Sequence, residues 1–367
     1  MNQSKLHLHF LRFALDTEYS LPALDKLDWN GLYEFANRHS ILGILYQGLE
    51  RLPKDSICRP SRQLIFKWVA AVDQIKRANI QVNQDACRLT EVFKQDGIQS
   101  CILKGQANAR LYPTPLYRMP GDIDVWTDMK SAKDIVRYVK QKDIMSSPEY
   151  HHIDWPSFGR TPIEVHYFPS FMGNLYHEIQ LRRYFEQQKS KQFENFVELP
   201  NTSGQGIYVL NSDMDSVFQL SHIMHHFFFE GIGLRQIIDY YYLLRYGIAP
   251  KDRENIAKTI KKLHLLKFSK GIMWLMHEVL GLDKQYLYTE PDENIGQLLL
   301  VEILYAGNFG HFDSRYHFAG LPLYKQYLLE IKRNLRFSRY FPSEVLWGRP
   351  IARFWHSAYK YYLRRSV

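Results

Sequence analysis

Hydrophobic and polar positions along this chain follow two periods, and the changes between them divide it. From Asp28 to Phe93 apolar residues recur every three or four positions. Asp28 stands where an N-cap belongs, ahead of a stripe of Trp29, Leu32, Tyr33, Phe35 and Ala36 at helical spacing. A second helix is expected over Ile41 to Leu52, ending before Pro53. A third is expected from Ser61 to Phe93, where no proline or glycine interrupts roughly 50 Å of helix. These segments read as scaffold.

At Asp96-Gly97 the pattern changes. Ile98 to Leu103 is a short β-like run, Lys104-Gly105 a turn, and Gln106-Ala-Asn-Ala-Arg-Leu-Tyr the start of a helix. A rigid Tyr112-Pro-Thr-Pro loop leads to Arg118, a Pro120-Gly121 turn, and Asp122-Ile-Asp-Val. In a strand, alternate side chains share a face, so Asp122 and Asp124 lie about 6.6 Å apart on one side, opposite Ile123 and Val125. Asp128 is expected to be an N-cap or a first-turn acid of the helix that follows it. His151 to Trp155 reads as another strand. Thr161 to Phe168 alternates, with Ile163, Val165 and Tyr167 apolar and Glu164 and His166 polar. Leu199-Pro-Asn-Thr-Ser-Gly marks a hairpin or a boundary. From Asn211 the helical period returns, with Ser212 or Asp213 as the expected cap of a helix carrying His222, His225 and His226. Arg235 and Asp239 sit one helical turn apart, the spacing of an intrahelical ion pair. The expected architecture is α+β, with an N-terminal helical region over 1–92, an α/β core over 93–205, and a C-terminal helical domain with a basic tail over 206–367.

Composition adds constraints. With 46% hydrophobic and 15% aromatic residues the chain is a folded globular protein. Cys58, Cys87 and Cys101 are widely spaced and match no metal-ligand pattern, which suggests a reducing compartment. No apolar run reaches spanning length and the N-terminus lacks a signal-like apolar segment, so a cytoplasmic protein without integral membrane association is expected. The net charge of +9 is concentrated in residues 321–367, where ten Lys or Arg face only Glu330 and Glu344.

Two like charges on one strand face repel. Asp122 and Asp124 are therefore either solvated acids at a strand end or ligands of a divalent cation. Glu164, presented on the polar side of a second strand, favours the second reading. Lys104-Gly105 ahead of a helix start offers a phosphate site through free backbone N–H groups and the lysine charge. Nucleotidyl transfer needs such parts: a held triphosphate, neutralised charge on the α-phosphate, and an activated hydroxyl. His222 and His226, at i and i+4, lack the Glu of a zincin motif. A metallohydrolase built on His151, His152, Asp154 and His166 is disfavoured, because neighbouring residues in a strand point to opposite faces.

Ile102-Leu-Lys-Gly, Leu111-Tyr-Pro, Arg118-x-x-Gly-Asp-Ile-Asp-Val and Ile163-Glu-Val-His together resemble the uncharacterised nucleotidyltransferase family of bacteria, a branch of the DNA-polymerase-β-like nucleotidyltransferase superfamily. The resemblance extends to Asp28-Trp and to Gly233-Leu-Arg-Gln-Ile-Ile-Asp. It implies a small mixed β-sheet nucleotidyltransferase core and a Mg²⁺ (or Mn²⁺) cofactor. Asp122 and Asp124 would ligate both metals, and Glu164 would bind the catalytic one and help deprotonate the acceptor. The expected reaction moves an NMP, AMP from ATP, to a hydroxyl on a small molecule, a protein or RNA. Lys104, Gly105 and Arg118 are the nucleotide-binding candidates, Arg118 either on the β- or γ-phosphate or bracing the aspartate loop. His166, Arg235 and Asp239 are candidate acceptor or nucleotide contacts. The chain departs from the superfamily in carrying Lys104-Gly105 where Gly-Ser or Gly-Gly is usual. A different reading is a catalytically weak nucleotide-binding module that holds nucleic acid or anionic membrane through the aromatic, basic segment Arg353 to Arg365.

Overall fold

The computed structural model describes residues 3–20, 24–53, 58–313, 315–316 and 320–365. Its N-terminal stripe forms four helices: α1 (Gln3–Leu15), α2 (Trp29–Arg38), α3 (Leu42–Glu50) and α4 (Arg62–Gln95). Asp28 caps α2 by accepting from the Asn30 N–H, and Ser61 caps α4 by accepting from the Leu64 N–H.

The period-two segments pair into a four-stranded mixed sheet of β1 (Ser100–Ile102), β2 (Ile123–Thr127), β3 (His152–Trp155) and β4 (Ile163–His166), in the order β1-β2-β4-β3. Strand β2 runs parallel to β4, while β1 and β3 run antiparallel to their neighbours. One face carries Ile102, Ile123, Val125, Ile153, Ile163 and Val165, buried against Val82, Ala86, Leu89 and Phe93 of α4 and against Ile135, Val136 and Val139 of α6 (Ala132–Lys142), the one-turn α5 (Gln106–Ala109) lying between β1 and β2. Each such apolar side chain contributes about 1.5–3 kcal/mol on burial. A slip of one residue would turn that face into the polar one, so the register is strongly specified. Two expected caps are corrected. Asp128 accepts from the Gln99 N–H at 3.1 Å, and Ser131 caps α6 instead. Following α7 (Leu175–Gln188) and the hairpin of β5 (Phe196–Glu198) and β6 (Gly206–Tyr208), Asn211 caps α8 (Ser212–Phe229) in place of Ser212 or Asp213. Asn is as good a cap as either, and it comes first.

The remaining helices are α9 (Leu234–Tyr242), α10 (Arg253–Lys262), α11 (Leu266–Trp274), α12 (Glu293–Ala306), α13 (Leu323–Leu335) and α14 (Arg349–Arg365). They share one core with the N-terminal helices, in which Phe10, Leu45 and Trp68 lie in the same cluster as Phe218, Tyr240 and Phe268. The basic tail is docked onto this body. Arg349 and Arg353 meet Glu330, Lys360 and Arg364 meet Glu149, and Leu363 is buried beneath α14 in the sheet core. Phe354, Tyr361 and Tyr362 stay exposed on that helix. Among the described residues no helix is long and apolar enough to cross a membrane.

Candidate active site

The second face of the sheet is polar where the first is apolar. Parallel pairing of β2 with β4 sets Asp124 opposite Glu164, and antiparallel pairing of β3 with β4 sets His152 opposite His166. Asp122 lies just ahead of β2, on the same side. One oxygen each from Asp122, Asp124 and Glu164 falls within 4.8 Å of the others. The strand parity that pointed to a shared site thus brings the three carboxylates together.

Lys104 reaches into this cluster from the end of β1, its Nζ 3.2 Å from Asp124 Oδ2 and 3.5 Å from Asp122 Oδ2. Asp124 is completely buried, and its Oδ2 has the charge of Lys104 beside it but no hydrogen bond of proper geometry. Burial would drive the proton from Lys104, yet Asp122 and Asp124 outweigh it and hold the ammonium above its usual pKa. Burial likewise works against the Asp122 carboxylate, and Lys104 and Arg235 overcome it, holding that group at about 2. From the other side, His166 Nε2 lies 2.8 Å from Asp124 Oδ1 and 3.4 Å from Glu164 Oε2. Burial opposes protonation there too, but the two carboxylates raise the imidazole to about 9, so it is a cation at neutral pH. Three convergent carboxylate oxygens, one of them buried and without a hydrogen bond, suit a hard divalent cation.

Gly105 is required by its backbone. At φ +66° and ψ −108° it occupies a region that side chains disfavour, and a Cβ would meet the Asp122 carbonyl at 3.3 Å. The α5 helix behind it has only four residues, so it supplies little dipole, and the positive charges beside it are those of Lys104 and Arg235. Arg235 is buried beside Gly121, its Nη1 directed to the Met119 and Pro120 carbonyls at 3.3 and 3.4 Å. The expected Arg235–Asp239 pair does not form. Arg118 takes Asp239 instead in a buried two-pronged pair, Nε to Oδ1 and Nη2 to Oδ2, both 2.7 Å, with the Tyr112 hydroxyl donating to Oδ1 at 2.6 Å. The planar guanidinium matches a carboxylate better than an i,i+4 approach does. Of the two roles expected for Arg118, this geometry is that of a brace for the aspartate loop.

Other contributors were not singled out in the sequence. Asn79 on α4 donates to the carbonyls of Leu116 (3.0 Å) and Arg118 (2.7 Å), Asn83 bonds Gln106, and Asp85 accepts from the Thr161 hydroxyl at 2.8 Å. One long helix thereby fixes three loops of the site. The signal was present, since these polar residues interrupt the buried stripe of α4. His222, Gln236 and Phe309 line the cleft above Lys104, Asp122 and Arg235. This cleft is narrow, with about 30 Å³ of free space, room for one or two waters, so a nucleotide would have to widen it. Phe309 lines it from a left-handed backbone at φ +52° and also borders a wider polar cavity of about 520 Å³ lined by Glu330, Arg333 and Arg349.

Residues 25–281 match the model of a family described as uncharacterised nucleotidyltransferase. No curated protein matches the chain. Among solved structures, an antigenic nucleotidyltransferase-like protein from Paracoccidioides brasiliensis aligns at 12% identity and a TM-score of 0.37, over 61% of this chain and 97% of that one. So distant a likeness has no bearing on the site.

Proposed function

Because this chain belongs to the uncharacterised nucleotidyltransferase family, we propose that it transfers an NMP, AMP from ATP, to a hydroxyl acceptor with Mg²⁺ or Mn²⁺ as cofactor. The observation that carries this reading is the convergence of Asp122, Asp124 and Glu164 from two parallel strands beside Lys104. Asp122 and Asp124 would hold the cations, with Glu164 as the third ligand. When bound, the cations neutralise charge at the α-phosphate and favour ionisation of the acceptor hydroxyl.

The chain's own residues do the rest. Lys104 and Arg235 bind the phosphates, and Gly105 lets the triphosphate approach the backbone without a side chain in the way. Glu164, half-buried at the edge of the cluster, accepts the proton of the acceptor hydroxyl as its oxygen bonds to the α-phosphorus. The bond to the bridging oxygen breaks, and pyrophosphate leaves with its charge matched by the two basic residues. His166 holds Asp124 in place from behind. Arg118, tied to Asp239, keeps the Arg118–Asp122 loop rigid under this chemistry.

Docking of α14 through Glu149 and Glu330 supports a structural use of the tail's charge more than a nucleic-acid or membrane surface. The deciding experiment incubates the protein with each α-labelled NTP, Mg²⁺ or Mn²⁺, and cell extract. Label should enter one extract component from ATP, and Asp122→Asn with Asp124→Asn should lower the rate by roughly 10³-fold or more. Unchanged transfer by the double variant defeats the proposal.

A further inference from the structure

Beside the carboxylate cluster lies a second set of convergent ligand atoms, rich in nitrogen. His151 Nε2 is 3.3 Å from His152 Nδ1, His152 Nδ1 is 3.4 Å from Glu164 Oε2, and Glu164 Oε2 is 3.4 Å from His166 Nε2. All four residues offer an atom within 4.8 Å of every other. A tetrahedral ion with metal–nitrogen bonds of about 2.0–2.1 Å has ligand-to-ligand edges of about 3.3–3.4 Å. The three measured edges have that length.

Strand alternation argued against this grouping, because His151 and His152 are adjacent in sequence. The structure removes the objection. Strand β3 begins at His152, and His151 sits ahead of it in a bend, free of the alternation, with its ring centre 5.1 Å from that of His166. His152 and His166 are cross-strand partners on one face. The His151 ring also packs on Phe171 at 4.9 Å, and Phe171 on His225 at 4.0 Å, so one flank of the cluster is walled by aromatic rings.

We propose that His151, His152, Glu164 and His166 bind a transition-metal dication, of which Zn²⁺ and Co²⁺ are examples, at a site separate from the hard-cation site of Asp122 and Asp124 and joined to it by Glu164. Three imidazoles and one carboxylate suit Zn²⁺, Co²⁺ or Ni²⁺ and disfavour Mg²⁺, which demands oxygen donors and keeps its waters. Ligation of His166 Nε2 would release the Asp124 Oδ1 it now holds, leaving both Asp124 oxygens for the neighbouring cation. Glu164 would be anchored on Oε2, the oxygen that meets His152 and His166. The inference is drawn from ligand geometry and stands whether or not nucleotidyl transfer is the reaction.

Co²⁺ is the probe. The full-length protein, stripped with chelator and dialysed, is titrated with Co²⁺ in excess Mg²⁺, which occupies the oxygen-only site. One Co²⁺ per chain with the strong visible bands of four-coordinate cobalt is expected, and Zn²⁺ should bleach them. His152→Ala and His151→Ala should each weaken binding by about tenfold or more, whereas Asp122→Asn should leave the spectrum intact. Absence of visible bands in the unaltered protein overturns the proposal without recourse to any variant. So does an unchanged Co²⁺ affinity in His152→Ala, or loss of the bands in Asp122→Asn, either of which places the ion elsewhere.

Discussion

Lys104 stands where a cation bound by Asp122 and Asp124 would stand, and replacing it with methionine separates its two effects. At 3.2 Å, in an effective dielectric of about 20, the attraction between its ammonium and one carboxylate is on the order of 5 kcal/mol before desolvation is subtracted. Holding the Asp122 carboxyl at about 2 rather than 3.8 corresponds to roughly 2–3 kcal/mol, shared with Arg235. Without metal, Lys104→Met should therefore be less stable than the parent protein by about 2 kcal/mol at pH 7, because two carboxylates lose their counterion. A depressed carboxylate pKa stabilises above the unfolded value and is lost as pH falls through the folded one. The deficit should thus be full above pH 4 and fade as pH drops towards 2. With Mn²⁺ present and nucleotide absent, the order reverses. The ion no longer has to displace an ammonium, and its affinity should rise by about tenfold or more, close to 1.4 kcal/mol per tenfold. ATP affinity should fall, since a phosphate contact is gone. Calorimetric titration with Mn²⁺, together with urea melts at several pH values, reads both effects. Mn²⁺ binding to the variant that is equal to or weaker than binding to the parent would show that Lys104 does not share the cation's place.

Two further outcomes follow from other buried groups. Asp239→Asn leaves the Arg118 guanidinium buried without a counter-charge and should cost about 3–5 kcal/mol in urea unfolding, with much of the loss recovered on adding Arg118→Met; a loss under about 1 kcal/mol would refute the bracing role. His39 is fully buried with both ring nitrogens unpartnered, and burial, aided by Arg38, lowers its pKa to about 3. The unfolded chain takes up a proton below pH 6.5 that the folded chain refuses, so the His39 contribution should be constant above that pH and lower stability below it, by up to about 1.4 kcal/mol per pH unit until pH 3. His39→Leu should flatten that part of a pH–stability curve, and an unchanged slope would rule His39 out as its source.

The carboxylate cluster was legible because it needs only the period of a strand: Asp122, Asp124 and Glu164 share a face once β2 and β4 pair. The N-terminal helices were legible for a similar reason, their caps and apolar stripes being local. What the sequence hid depends on contacts far apart or on where an element begins. The Arg118–Asp239 pair joins residues 121 positions apart and defeats the nearer, more obvious partner at Arg235. The convergence of His151 with His152 turns on β3 starting one residue later than its pattern suggests. The single turn of α5 could not be foreseen from a helix-compatible run, and it leaves the proposed phosphate site with two basic side chains in place of a dipole.

Phe309 lies beyond residue 281, where the family match ends, whereas the carboxylates, Lys104 and Arg235 all lie within it. That ring therefore lines the cleft from a part of the chain outside the family match. The same ring also borders the broad cavity lined by Arg333 and Arg349. A change at Phe309 alone would thus alter the walls of both the cleft and the cavity without touching Lys104, Asp122 or Arg235.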